Sequence, residues 1–545
     1  MLAFAAATAI VVVLPVVSVA SSFLRGFGPA IGHLAETILP GVLGNTAGLV
    51  VGVGLGTALV GVVTAWLVTM YRFPGHAALQ WLLLLPMAMP AYIIAYAYAD
   101  ALAFAGPVQS KLRTAFGWNR GDYWFPAIDS IGSAAVLFTL VLYPYVYFLA
   151  RTAFLEQSLA IIDVARTLGH RSWSRFMNVG VPLARPAIAG GVALALMEML
   201  ADFGTVDYLG IATFTTTIYR TWFGMGDTIA ASQLATGLLL FVAALIWFER
   251  RARYEAGYMR SARKAHPIAP EHLTGLPALA ATLACALPIM LGFVIPVLFL
   301  VRLHLGEGDP LFGARFLRLA WNSLSLAALS ATLITAVAFV IAYGLRTTRG
   351  GRTTSLLRLA TLGYALPGTV IAVGVLGPLG ALDGAINTIV RNLGATPPGL
   401  VFSGTIAALV FAYLVRFLAI GTNAIDAGYQ QIPRQMDDVA RSLGETSMGV
   451  LRRIHLPQLH RSMMTAFVLI FVDVLKELPA TLIVRPFNFD TLAVRVYQLA
   501  ADERLAQAST GALVIVVAGL LPVILLTRLQ TRRTAGKTVR LAPID

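Results

Sequence analysis

Long runs of mostly apolar residues, with few charges inside them, recur along the whole chain with polar connections between them. Each run is roughly 20 residues long, enough to cross a hydrocarbon core of about 30 Å. Inside lipid every backbone N–H and C=O must find its partner within its own segment, so such runs predict α-helices. The pattern places spans at roughly 3–23, 45–70, 78–104, 130–150, 184–205 and 231–248, and again at 277–301, 320–345, 355–380, 400–420, 462–484 and 509–527. The fold class predicted is an all-α polytopic membrane protein of about 12 transmembrane helices. The first run, LAFAAATAIVVVLPVVSVASSFL, has no basic flank at its start and is long for a signal-peptide core, which predicts a retained first span.

Composition agrees. Of the 545 residues 58% are hydrophobic and 12% charged, against about 25% charged in soluble domains. A formal charge of +14 does not indicate nucleic acid, because the Arg and Lys gather mostly on one set of alternating loops. That is the bias of cytoplasmic loops, and it predicts both termini on the cytoplasmic side. Cys285 stands alone within an apolar run and reads as a buried structural thiol. The polar, basic stretch ERRARYEAGYMRSARKAHPIAPEHLTG cannot span, and reads as a cytoplasmic linker over 250–275 between a first half, 1–249, and a second, 276–545.

The two halves repeat. DVARTLG starts at Asp163 and DVARSLG at Asp438, 275 positions later, each followed at the same distance by a proline, Pro182 or Pro457. About six spans separate the copies, so both face the same side of the membrane, as in a parallel repeat. LADFGTV from Leu200 and LKELPAT from Leu475 recur at the same offset. An acidic residue at each motif (Asp163, Asp438) suits a helix N-terminus. Ala165 and Ala440 permit close approach of another surface, and Gly169 and Gly444 permit a tight turn at positive φ. Pro182 and Pro457 mark where the chain re-enters the membrane.

The order acidic residue, Val, Ala, three residues, Gly, nine residues, then aliphatic-x-aliphatic-Pro resembles the Glu-Ala-Ala loop of permease subunits of binding-protein-dependent ABC importers. Asp replaces Glu here and Val replaces the first Ala. ADFGTVDYLGIATFTTTIYRTWFGMGD, KELPATLIVRPFNFDTLAVRVYQLAADERLA and LLLLPMAMPAYIIAYAYAD are similar to segments of the ferric-iron permeases of this class, as two fused halves. The resemblance implies coupling helices near 156–183 and 430–458 that dock on two copies of a cytoplasmic ABC ATPase. It also implies a periplasmic substrate-binding protein and a bacterial inner-membrane location. The permease itself would be no enzyme and bind no cofactor, ATP being used by the partner subunits. AGKT at 535–538 lacks the first glycine and preceding strand of a phosphate-binding loop.

Four carboxylates lie within or beside spans: Glu198 and Asp202, four apart, and Asp473 and Glu477 at the same offset in the second half. Charge deep in a bilayer costs roughly 2.5–3.5 kcal/mol even on the lenient scale. Four such groups suggest a hydrated translocation path, and carboxylate oxygens suit a hard cation. A structural role is the competing reading, with Lys476 neutralising Asp473. Tyr92, Tyr96 and Asp100 recur at four-residue spacing; the tyrosines are candidates for the path or for an interfacial aromatic belt. No fixed metal site or nucleophile–base constellation emerges. Thiamine and aminophosphonate permeases share the fused layout, and an ion-coupled secondary transporter with two parallel six-helix halves is the rival class.

Overall fold

The computed structural model describes residues 2–538 except 27, 120, 157–171, 257–269, 307, 309–312, 349–350, 361–362 and 364–365. Twelve helices among the described residues are long and apolar enough to cross a membrane. In the first half they are α1 (Ala3–Arg25), α2 (Leu39–Met70), α3 (Ala91–Phe116), α4 (Ile131–Leu155), α5 (Trp173–Ala201) and α6 (Thr228–Glu249). The second half has α7 (Gly275–Gly306), α8 (Arg315–Thr347), α9 (Gly368–Asn392), α10 (Ile406–Tyr429), α11 (Ser447–Leu475) and α12 (Leu505–Leu525).

Several boundaries depart from the sequence pattern, for one reason: proline. The third and ninth spans, expected over 78–104 and 355–380, are each broken. A short helix (His76–Leu82 or Gly351–Leu359) precedes the break, and the main helix restarts at Ala91 or Gly368. Pro90 and Pro367 sit at those restarts with extended ψ of 140° and 141°, and a proline disfavours helix in the residue before it. Pro182 and Pro457 do not begin their helices either. Each helix starts about ten residues earlier and passes through a π-turn, Phe176–Gly180 or Leu451–His455, just before its proline. The wider turn accommodates a residue that cannot donate to the i−4 carbonyl.

Lipid gives helices no hydrophobic reason to associate, so close backbone approach must supply the attraction. Gly48, Gly52 and Gly56 recur every fourth residue along α2, and this stripe lies on α4. A Cβ on Gly52 would stand 2.9 Å from Ala135 Cβ, and one on Gly56 2.3 Å from Thr139 Oγ1. At the equivalent face of α8, Ala327 and Ala331 are fully buried against α10 and α11. The contacts of α2, α4 and α5 thus recur in α8, α10 and α11.

The halves are interlocked by exchange of their first helices. α1 packs on α9 across the divide, with Ala5 and Val12 in the second half's core. α7 reciprocates: Ala278, Ala281, Cys285 and Ile289 enter a first-half core, and the Tyr98 hydroxyl of α3 donates to Leu291 O at 2.8 Å. Where the linker ends, β2 (Glu271–His272) pairs in parallel with β1 (Tyr71–Arg72), and Arg175 forms an ion pair with Glu271 at 2.9 Å. Residues 535–538, the AGKT stretch, continue the helix that runs Leu505–Thr538.

The glycine stripe gives a paired test by thermal unfolding in detergent. Gly56→Leu forces α2 off α4 and should cost about 1–3 kcal/mol. Gly44→Leu, with nothing within 4 Å of its Cβ position, should stay within about 0.5 kcal/mol of the parent.

Candidate functional site

After α5 ends at Ala201 the chain does not leave the protein. It folds into the short helices Gly204–Tyr208 and Phe214–Tyr219, and after α11 into Pro479–Val484 and Leu492–Ala501. Thr205, Thr215, Thr216, Thr217 and Thr481 in these segments are buried. Non-helical backbone at membrane depth is tolerated only where protein covers it, and here the two re-entrant segments face each other across the halves.

Where the halves meet, beside the ends of α5 and α11, lies a cavity of about 100 Å³, wide enough to admit water. Glu198, Asp202, Asp473 and Glu477 all line it, with Tyr92, Arg416 and Lys476. The four carboxylates are not alike. Asp202 does not share a helix face with Glu198, because the helix stops one residue earlier and Asp202 turns extended at ψ 140°. Its Oδ1 accepts from Thr205 N at 2.8 Å, at the start of the next short helix. Glu477 does the same more fully: it accepts from Ala480 N, Thr481 N and Thr481 Oγ1 at 2.9, 2.9 and 2.6 Å. A carboxylate is favoured at a helix N-terminus by these donors and by the helix dipole. Glu198 and Asp473 remain on their spans. Asp473 pairs with Lys476 Nζ at 2.8 Å and Glu477 with Arg416 at 3.2 Å.

Tyr92 and Tyr96 are 4% and 0% exposed, so neither belongs to an interfacial belt. Tyr92 lines the cavity; Tyr96 does not, and packs on Tyr208 with ring centroids 4.5 Å apart. Among the described residues no three His, Cys, Asp or Glu side chains gather closely enough to hold a metal ion. The cavity is a charged, wettable chamber rather than a preformed cage. Arg416 escaped the sequence reading, although an arginine inside the apolar run LVFAYLVRFLAIG was itself the signal.

The second repeated motif folds as the short helix Arg434–Ser442. Ala440 turns inward and is buried, whereas Val439 and Leu443 are 57% and 80% exposed, beside exposed Asp438. Gly444, at φ +86°, closes the helix: Glu445 N donates to Ala440 O and Gly444 N to Arg441 O, both at 3.0 Å. That left-handed cap favours glycine. Pro457 lies in the first turn after the π-turn described above. In the first copy Asp163, Ala165 and Gly169 lie outside the described residues, while Pro182 occupies the same place after its π-turn.

Asp437, not Asp438, ties this helix to the bundle. Its Oδ2 accepts from Arg346 Nε of α8 at 3.1 Å and its Oδ1 meets His455 Nε2 of α11 at 3.0 Å. Arg346 also donates to Ile432 O at 2.9 Å. Burial works to raise the Asp437 pKa, yet the hydrogen bonds from His455 and Arg346 prevail and hold it below the usual carboxylate range. Because the folded value is the lower one, the anchor is complete above the ordinary carboxylate range and is lost as pH falls through the folded value.

The sequence pattern of the binding-protein-dependent transport system inner membrane component family matches residues 57–249 and again residues 348–535. The chain belongs to this family. The first stretch holds α3–α6, the second α9–α12, and each holds one repeated motif, so this permease carries two family units in one chain. It is similar to the Fe(3+)-transport system permease protein of Haemophilus influenzae, 25% identical over 492 residues and 89% of each chain. It is also similar to the ferric transport system permease protein of Actinobacillus pleuropneumoniae, 23% identical over 78% of this chain and 60% of that one. The molybdenum transport system permease protein of Escherichia coli (strain K12) is 28% identical over 36% of this chain and 87% of its own.

Removing the Asp437 anchor by Asp437→Asn should loosen the Arg434–Ser442 helix. A hydrogen bond to a charged group contributes about 1.5–3 kcal/mol, so amide exchange across the helix at neutral pH should rise roughly tenfold or more. Unchanged exchange, read by mass spectrometry, would show that the helix is held by other contacts.

Proposed function

We propose that this chain is the membrane channel of an ATP-driven importer for ferric iron, passing the metal from a periplasmic binding protein to the cytoplasm. The observation that carries the substrate is the layout. A relative matched over 89% of both chains is a ferric permease, whereas the molybdenum relative matches 36% of this chain. The carboxylate-lined cavity at the meeting of the halves fits a hard, oxygen-seeking cation. Transport needs no covalent step from this chain.

Two ATPase subunits supply the drive. The Arg434–Ser442 helix offers them Val439, Leu443 and Asp438, and the motif from Asp163 is its counterpart in the first half. When ATP closes the ATPase pair, the motifs are drawn together. Asp437 transmits that movement to α8 and α11, and with them to Asp473 beside the cavity. The halves rock until the cavity opens outward, and hydrolysis resets them. The charge bias of the loops supports placing both motifs and both termini on the cytoplasmic face.

Proteoliposomes holding the permease, its ATPase and an iron-loaded binding protein should accumulate ⁵⁵Fe only with ATP. Uptake of thiamine or an aminophosphonate through its own binding protein, with no iron uptake, would replace the substrate and keep the importer class. Gly444→Val should insert normally and lose at least tenfold in uptake and in stimulated ATP hydrolysis, since a β-branched residue at this φ costs about 1–3 kcal/mol. Normal activity in that variant would remove the coupling role.

A further inference from the structure

The cavity is charged asymmetrically. Its carboxylates come in equivalent pairs, Glu198 with Asp473 and Asp202 with Glu477, but its cations come from the second half alone. At the positions equivalent to Arg416 and Lys476 the first half has Val141 and Ala201, and these line the cavity too. Four carboxylates therefore face two fixed cations, and those cations differ in freedom.

Arg416 is locked. Its guanidinium and the Glu477 carboxylate lie over the bare backbone of Gly368, where a Cβ would stand 2.1 Å from Arg416 Nη1 and 2.8 Å from Glu477 Oε1. Glu477 is in turn held by the start of the Pro479–Val484 helix. Lys476 is not held in this way. It follows the last turn of α11, its side chain 29% exposed, and bonds Asp473 while its ammonium also feels the charge of Glu198 from the other half. An ammonium on a four-carbon stem reorients easily where a forked guanidinium does not.

A third oxygen type faces this place. The Tyr92 ring lines the cavity, its hydroxyl is buried without a hydrogen-bond partner, and it senses the Asp202 and Glu477 carboxylates. A buried hydroxyl left unpaired is costly, and an entering ligand or its water would relieve that cost.

We propose that Lys476 is the resident counter-ion of a cation site built by both halves, its ammonium leaving Asp473 when a hard trivalent cation enters. The site rests on the ferric reading for its cargo but not for its charge logic. Asp473 and Glu198 provide the carboxylates, one from each half, and Tyr92 a neutral oxygen. Asp202 and Glu477 stay committed to their helices. With so few ligands in reach the cation is held loosely through water, as passage demands. Between cycles the tethered ammonium satisfies Asp473 and excludes ordinary cations.

The full chain in maltoside micelles, titrated with Tb³⁺ and followed by sensitised luminescence, tests this directly. Lys476→Gln should bind Tb³⁺ at least tenfold more tightly than the parent, Lys476→Arg should not, and adding Asp473→Asn to Lys476→Gln should abolish the gain. Equal binding by parent and Lys476→Gln, or a gain that survives Asp473→Asn, overturns the proposal. The unmutated chain gives an independent reading: saturating Tb³⁺ should raise acetylation of Lys476 by a small amine-reactive reagent several-fold, and an unchanged rate overturns it equally. If these effects hold while iron-loaded binding protein drives no uptake, the cation site stands and the ferric cargo falls. If iron is taken up but Tb³⁺ leaves Lys476 untouched, the reverse is true.

Discussion

A hydrocarbon interior offers no water to a backbone amide or a carboxylate, so every break in a helix and every charge must be answered by protein. The placement of the breaks follows. Each break after α5 and α11 is packed by neighbouring helices, and its first backbone donors are taken by Asp202 or Glu477. The same carboxylates that make broken helices tolerable also give the cavity its charge. The chamber and the scaffold share their side chains.

Because each half lends its first helix to the other, the halves cannot separate without unpacking α1 from α9 and α7 from α3. The small-residue seam between α2 and α4 packs the interior of one half closely. On the second half Asp437 joins the Arg434–Ser442 helix to α8 and α11, and α11 also carries Asp473.

Fusion of two family units in one chain removes the need for the halves to be identical, and the structure uses that freedom. Arg416, Lys476, Asp437 and His455 are ionic devices of the second half. Their sequence equivalents in the first are Val141, Ala201, Ile162 and Gly180. Gly180 is obligatory in its own way, since a Cβ there would stand 2.4 Å from the Trp66 ring. One half is built with packed aromatics where the other has ion pairs. A two-chain assembly of identical subunits would have to carry every charge twice.

Hydropathy and the 275-residue repeat were enough to determine the class, the helix number and the parallel halves, because spanning length and backbone satisfaction are set locally by composition. The repeat also singled out the motif glycine, and Gly444 does sit in the left-handed region, as its local helix cap requires. The glycine stripe of α2 and the lone Arg416 were equally legible but are meaningful only once a partner is known. Nothing in the sequence separates Asp437 from Asp438: adjacent residues of one type differ only in which way the helix is turned, and burial of Ala440 decides that. Likewise four carboxylates at matched offsets are equivalent on paper. The folded chain assigned Asp202 and Glu477 to helix starts and left Glu198 and Asp473 on their spans, because a hydrogen-bond partner depends on where the chain turns in three dimensions.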